Sequence, residues 1–551
     1  MQSLPKRETL TIEFKSDREK GYSDDKLVDE IVGMTNAEGG ILYLGIEDDG
    51  SVTGLSESHK DTIRTSAVIA NKTRPSLSVR AEILSENGRQ VMAISVPKSN
   101  SVVASASGKI LKRLLKKDGS PEVVPMYPYE IVTRLSDLRK LDFSAQPIQD
   151  ASLEDFDPHQ IDRLRSTIKK HDGDRNLLEL TDEEMEQALQ LTARVGEHVY
   201  PTLAGMLLLG REERLQLLVP TATADFQVLK GTNVAVNESY HKPILELIDL
   251  FDNHIKAWNP EQELEDGLFR IPIPEFSPKA FREGLMNAIV HRDYSILGNV
   301  RVMIDDEGMT ISNPGGFIEG VSIDNLLTVE PCGRNPVLSD ALKRIGLVER
   351  TGRGIDRIFE GSISFGRPWP DYSESTSKNI VLFIPRGKAD AGFLRLLSEE
   401  QKNNNNPLSI YALMILSILK DRRKLNNGEL AEFTHLPKNR LAPTVEILIE
   451  RGLIEEFGHG ANRMLMLSSR VYQSEKKEKE YIRQKGIDHL RFQEMILNLA
   501  KQQGGFVTKR DVVQLLHLKE SQAYRQLQNL CKEHRIELAQ GGKYSKYKLI
   551  Q

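Results

Sequence analysis

The sequence predicts an α+β multidomain protein, and three observations carry that reading. Its 551 residues are enough for roughly three to five domains. Segments of period two, such as TLTIEFK at 9–15, interleave with segments of helical period, such as Asp25 to Asn36. Finally, the polar stretch EEQKNNNNP at 399–407 reads as a flexible linker. It precedes two helix-rich pieces, each ending in a glycine-tipped hairpin pattern.

In the first segment Leu10, Ile12 and Phe14 point inward from a strand. The helix after it has Leu27, Val28, Ile31, Val32 and Met34 on its apolar face and stops at Asn36-Ala-Glu-Gly-Gly. Ile41 to Ile46 reads as a buried strand turned by Glu47-Asp48-Asp49-Gly50, with further strands at Ser78–Ile83 and Gln90–Val96. Residues 107–118 hold the densest basic run of this half: Lys109, Lys112, Arg113, Lys116 and Lys117. It reads either as a phosphate-tracking element or as a solvated hairpin.

The run TNAEGGILYLGIEDDGSVTGL resembles the AlbA-like Schlafen domain, over about residues 1–130. The resemblance implies nucleic-acid binding, and for several members cleavage of RNA or DNA by three acids and a divalent metal. Glu8 and Glu13, ahead of Phe14-Lys15, match the family's E-x-x-x-x-E-F-K spacing, and the third acid would be Glu47 or Asp48. Clustered carboxylates bind hard ions such as Mg²⁺ or Mn²⁺, which can activate water. Residues five apart on a straight strand face opposite sides, so Glu8 joins Glu13 only if the chain bends before Thr9. Otherwise these are surface acids and EDDG is an ordinary turn.

Residues 136–260 read as a connector without chemistry, and resemble the bridging segment of the same bacterial family. Helices are expected over Asp150 to Lys170, Thr181 to Val195 and Pro243 to Trp258, with an apolar run at Met206–Gly210.

The chemistry concentrates in Phe281 to Gly316. Glu283, Asn287 and His291 recur every four residues and share one helical stripe, while Phe281, Leu285, Ala288 and Ile289 form another that can pack on a sheet. A carboxylate can serve as general base, and an amide oxygen one turn away suits phosphate-bound Mg²⁺. An exposed E-x-x-x-N pair is also a common solvated face. Two short strands then lead to Asn313-Pro314-Gly315-Gly316, and Gly352-Arg353-Gly354 opens the helix IDRIFE.

That order resembles the GHKL ATP-binding fold. HRDY, SNPGG, RNP and TGRGI together resemble the ATPase-like domain of bacterial proteins called RecG-related or transcriptional regulators. The resemblance implies a GHKL-like α/β sandwich over 261–396. Glu283 would be the base and Asn287 the Mg²⁺ ligand. Asn313, Gly315, Gly316, Asn335, Gly352, Arg353 and Gly354 would contact ATP. Asn313 stands where most relatives carry aspartate. An amide still accepts from adenine but brings no charge and adds donors.

The helices expected near Leu408–Lys420, Asn427–Thr434 and Lys438–Arg451, and near Arg491–Gln502, Lys509–Leu516 and Glu520–His534, each followed by a hairpin, resemble two winged helix-turn-helix modules (407–470 and 486–551). Residues 471–551 hold 16 lysines and arginines against 9 acids. Tyr524, Arg525, Gln528, Lys543, Lys546 and Lys548 are candidate DNA contacts. Glu446, Glu450, Glu455 and Glu456 suit the first module to packing or dimerisation, and a homo-oligomer is expected.

Composition excludes several classes. With a net charge of −5 the chain is no polycation, so nucleic-acid contacts must be local patches. Cys332 and Cys531 make neither a disulfide framework nor a zinc site. MQSLPKRETLTIEFK has no apolar signal core, no run spans a membrane, and a cytoplasmic protein with reduced thiols is expected. There is no P-loop, so no helicase motor, and no H-E-x-x-H or G-x-S-x-G.

The combined expectation is an ATP-controlled nucleic-acid-binding protein with a Schlafen-type effector, extended by the resemblance to metal-dependent cleavage in bacterial defence. The rival is a nucleotide-sensing transcriptional regulator that cuts nothing. A third option is an ATPase-like scaffold that binds no nucleotide.

Overall fold

The computed structural model describes residues 4–18, 21–86, 88–266, 269–348, 352–404, 406–457, 463–468, 471, 492–493, 496–501, 503–516, 520–540 and 545–550. It is a mixed α+β chain of several sheets and helical layers.

The N-terminal part is built on a four-stranded sheet. Strand β1 (Ile12–Lys15) pairs in parallel with β2 (Gly40–Leu44) through the helix α1 (Asp24–Thr35). Helix α2 (Thr62–Asn71) precedes the hairpin of β3 (Arg80–Glu86) and β4 (Arg89–Val96), and β4 lies antiparallel beside β2. Alternation sends Leu42, Leu44, Met92 and Ile94 into the core under α1. Phe14, Tyr43, Val91 and Ala93 fill a smaller core on the other face. The basic run becomes the hairpin of β5 (Leu111–Leu115) and β6 (Pro121–Pro125), which packs on α1. Helix α3 (Pro128–Asp137) comes next.

The predicted strand begins three residues late. Thr9 and Ile12 exchange backbone hydrogen bonds (3.0 and 3.4 Å), forming a tight turn, and Leu10 stays outside the core. The bend falls after Thr9 and not before it, and turns the Glu8 carboxylate onto the Phe14 N–H at 3.0 Å.

The connector is not separate from the ATPase-like part. Helix α4 (Pro158–Lys170) and the fully buried α5 (Leu203–Leu209) share one continuous core, from Ala151 to Met414, with the second large sheet. That sheet runs β8–β7–β9–β10–β11. It comprises β7 (Ala224–Lys230), β8 (Asn233–Tyr240), β9 (Val300–Ile304), β10 (Gly308–Pro314) and β11 (Asn379–Pro385). β7 and β9 are parallel and the other pairs antiparallel. A boundary at 260 therefore cuts β7 and β8 from their own sheet. Helix α6 (Ile244–Trp258) forms where a helix is expected and packs beside β7. The helix expected over Thr181 to Val195 ends at Ala188, where Gln190 turns left-handed (φ 56°). The remainder forms the hairpin Thr192–Val195 with His198–Pro201. Its β-branched residues and Gly196 favour that turn over a longer helix.

Helices α7 (Pro278–His291), α8 (Pro336–Arg344) and α9 (Gly354–Ile363) complete this part, with α7 between the sheet and α9. The supposed linker is helical through Asn404 as α10 (Ala391–Asn404), because Phe393 and Leu396 bury against the next module. That module comprises α11 (Ile410–Arg422), α12 (Asn427–Thr434), α13 (Lys438–Glu450) and a three-stranded sheet. It docks on the preceding part: Trp369 donates to Ser417 at 3.0 Å and Tyr411 to the Leu327 carbonyl at 3.3 Å. The last module has α14 (Lys509–Leu516), α15 (Glu520–Lys532) and its own three-stranded sheet and core.

Candidate nucleotide-binding site

Helix α7 starts at Pro278, capped by Ser277, whose hydroxyl accepts from Ala280 N–H at 3.4 Å. Its apolar stripe lies on the sheet. Gly284 permits that approach, since a Cβ there would stand 2.8 Å from Ile311 Cδ1. The opposite stripe faces a cavity of about 460 Å³. Glu283, Asn287 and His291 all line it, together with Asn313 at the end of β10, Gly316 just beyond it, Gly352 ahead of α9 and Gly354 at its first position.

Its lining mixes apolar side chains, such as Ile311, Ile380, Leu382 and Tyr372, with polar ones, such as Glu283, Asn287, Asp340 and Lys343. The volume and this mixed lining suit a nucleotide-sized ligand. The glycine turn fits closely. Gly352 has φ 74°, and a Cβ there would lie 2.1 Å from Pro331 Cγ. A Cβ on Gly354 would lie 2.9 Å from Glu283 Oε2. Glu283 is 3% exposed, with Arg357 at 3.4 Å. Burial, with Arg334 and Lys343 nearby, pushes His291 down to about 4, so its imidazole is neutral at pH 7.

Other predicted nucleotide contacts lie elsewhere. Asn335 is fully buried and donates to the carbonyls of Val290 and Arg292, both at 2.8 Å, closing the C-terminal end of α7. Gly315 turns the chain with φ 95° against Asp293 and Arg334, and Arg353 is exposed beside Asp356 at 3.6 Å. The arginines of HRDY and RNP are scaffolding. Arg292 bonds the carbonyls of Asp293, Ile296 and Gly298, and Arg334 donates to the Gly316 carbonyl at 3.0 Å.

One cavity wall, residues 316–333, is clamped to the N-terminal part. Glu319 N–H donates to the Asp137 carbonyl at 3.2 Å. The Glu319 carboxylate meets Arg134 at 2.9 Å and Lys98 at 3.3 Å. Burial opposes that charge, but Arg134 and Lys98 outweigh it and hold Glu319 below the usual carboxylate range. Arg134 also donates to Ser99 at 2.9 Å, and Arg139 reaches the cavity-lining Cys332 at 2.8 Å. Local sequence signals did not reveal this clamp.

The four acids of the N-terminal part are not gathered as a metal cluster. Among the described residues no three His, Cys, Asp or Glu side chains could hold a metal ion together. Glu8 accepts from Phe14 N–H at 3.0 Å, and burial raises its carboxyl. Glu13 is 3% exposed and paired with Arg113 and Lys15. Glu47 accepts from Thr53 at 2.7 Å and Ser16 at 2.8 Å, with Arg18 at 3.0 Å, while Asp48 is exposed. Arg113 is likewise no phosphate contact: it is 4% exposed and also bonds the carbonyls of Thr9 and Ile12. The other cations of the hairpin lie outward. Lys109 meets Asp29, Lys112 meets Glu130, and Lys116 and Lys117 are exposed. In the last module Tyr524, Arg525, Lys546 and Lys548 are exposed and Gln528 is half-buried. Lys543 lies outside the described residues.

Three family models match the chain. Residues 8–120 match "Schlafen, AlbA_2". Residues 298–383 match "Putative ATP-dependent DNA helicase recG C-terminal". Residues 133–225 match a domain of unknown function, DUF8451. The protein therefore joins a Schlafen AlbA_2 domain to an ATPase-like, RecG-related domain. No curated protein matches. Among solved structures it is similar to the DIP2311 protein from Corynebacterium diphtheriae, with 23% identity and a TM-score of 0.51 over 85% of this chain and 94% of that one. That likeness is one of fold. A second similarity is to the N-terminal domain of a RecG-related protein from Nitrosomonas europaea, with 20% identity and a TM-score of 0.13 over 17% of this chain and 65% of that one. No described helix is long and apolar enough to cross a membrane.

Proposed function

We propose that this is an ATP- and nucleic-acid-binding protein in which a GHKL-like cavity controls the AlbA-like domain. The observation that carries it is the Glu319 clamp: a wall of the cavity is bonded to Lys98, Arg134 and Asp137 of the N-terminal part. A ligand that rearranges residues 316–333 must act on those contacts, and the coupling is reciprocal. Asn287 would hold Mg²⁺, Glu283 would orient or deprotonate a water, and the glycine turn would approach the phosphates. Bound Mg²⁺ would neutralise phosphate charge. Asn313 would read the base by its amide. We assign the two C-terminal modules as winged helices, with Arg525 and Lys546 facing DNA and the docked first module serving packing.

A second reading adds metal-dependent cleavage. It is favoured by the Thr9–Ile12 turn, which returns Glu8 to the neighbourhood of Glu13 and Asp48. Against it, Glu13 already has two cationic partners. The regulator reading needs no cleavage.

The test is nucleic-acid affinity of the full chain with and without ATP and Mg²⁺, in wild type and Glu319→Ala, with products analysed alongside. A coupling of roughly 5- to 150-fold that Glu319→Ala weakens is expected. Equal affinities under every condition would refute control. Mn²⁺- or Mg²⁺-dependent products, absent in folded Glu13→Gln, would establish the second reading.

A further inference from the structure

Tyr127 and Tyr129 are 62% and 52% exposed, yet their rings stack on each other, with centroids 6.0 Å apart and planes within 7°. Single exposed aromatics are common, but two parallel rings left open to solvent form a flat π surface. Pro128 between them fixes the backbone and starts α3, so the surface is pre-organised.

A line of lysines runs beside it, three of them next to acids. The pair sits at the foot of the basic hairpin, where Met126 N–H bonds the Ile110 carbonyl at 2.9 Å. The Glu130 carboxylate accepts from Tyr127 N–H at 2.9 Å and from Lys112, which fixes that ammonium beside the tyrosines. The register Leu111↔Pro125 to Leu115↔Pro121 then carries the hairpin away to exposed Lys116 and Lys117, roughly 15–20 Å off. The acid partners of Lys109 and Lys116 are surface pairs, which are weak and yield to a polyanion.

We infer that Tyr127 and Tyr129 form a stacking platform for the unpaired bases of single-stranded nucleic acid, whose backbone follows Lys112, Lys116 and Lys117 along the hairpin. A flat aromatic face beside a line of cations binds stacked bases without reading their sequence. The inference rests on the nucleic-acid-binding reading of the AlbA-like domain and adds that the bases, not only the phosphates, are held.

The experiment measures anisotropy of labelled strands of about 20 nucleotides with the full chain: single-stranded DNA, single-stranded RNA, and an abasic strand of equal phosphate count. The wild type is expected to bind at least one base-bearing strand more tightly than the abasic one. The double variant Tyr127→Ala, Tyr129→Ala should lose about ten- to a hundredfold on that strand and little on the abasic one. The double Phe variant should retain wild-type affinity, which separates stacking from misfolding. Unchanged binding by the Ala variant, or no wild-type preference over the abasic strand, would overturn the platform alone. No binding of any strand by the wild type would overturn the nucleic-acid reading as well.

Discussion

Arg113→Ala is expected to destabilise the N-terminal domain by about 3–5 kcal/mol, the cost of breaking a buried ion pair by removing one member. Glu13 would keep only Lys15, and the carbonyls of Thr9 and Ile12 would lose their shared donor. Native-state hydrogen exchange would show protection in β1 and β5 falling by about two to four orders of magnitude. Arg113→Lys should recover little, because one ammonium cannot reproduce a guanidinium fork that spans a carboxylate and two carbonyls. Protection unchanged in Arg113→Ala would mean that Glu13 is solvated and available to a metal ion. The same pairing affects how activity data are read, because any loss in a Glu13 variant must first be checked against folding.

Glu283→Gln is expected to lower ATP turnover by about 10²- to 10⁴-fold, the usual contribution of a general base, with ATP affinity changed little. The amide keeps the shape of the side chain beside Gly354 and Arg357 but cannot take a proton. Steady-state phosphate release and equilibrium binding, measured on one preparation, separate the two effects. Turnover equal to wild type would remove Glu283 from the chemistry and leave the cavity as a binding site only.

Much of this site was legible because its signals are local. The four-residue spacing of Glu283, Asn287 and His291 does place all three on the cavity, and the apolar stripe does lie on the sheet. The glycines of the 352–354 turn also stand where the sequence put them. Non-local pairing was harder to read. β7 takes its parallel partner β9 from some 70 residues further along, so the connector looked separate from a sheet it helps to build. Asn335 looked like a ligand contact because asparagine suits both roles, and only tertiary structure shows its amide spent on α7. Arg113 counted as one of five surface cations, although alternation along β5 turns it inward while Lys112 faces out. The low-complexity composition of 399–407 hid a helix whose apolar anchors, Phe393 and Leu396, precede it.

The most direct test of the central claim, that the cavity between α7 and the glycine turn is a nucleotide site, is calorimetric titration of ATP with Mg²⁺ into the folded full-length chain. Saturable heat, weakened in Asn287→Ala, is the predicted result. No heat from correctly folded protein would contradict the nucleotide site, and the proposed control of the AlbA-like domain would fall with it.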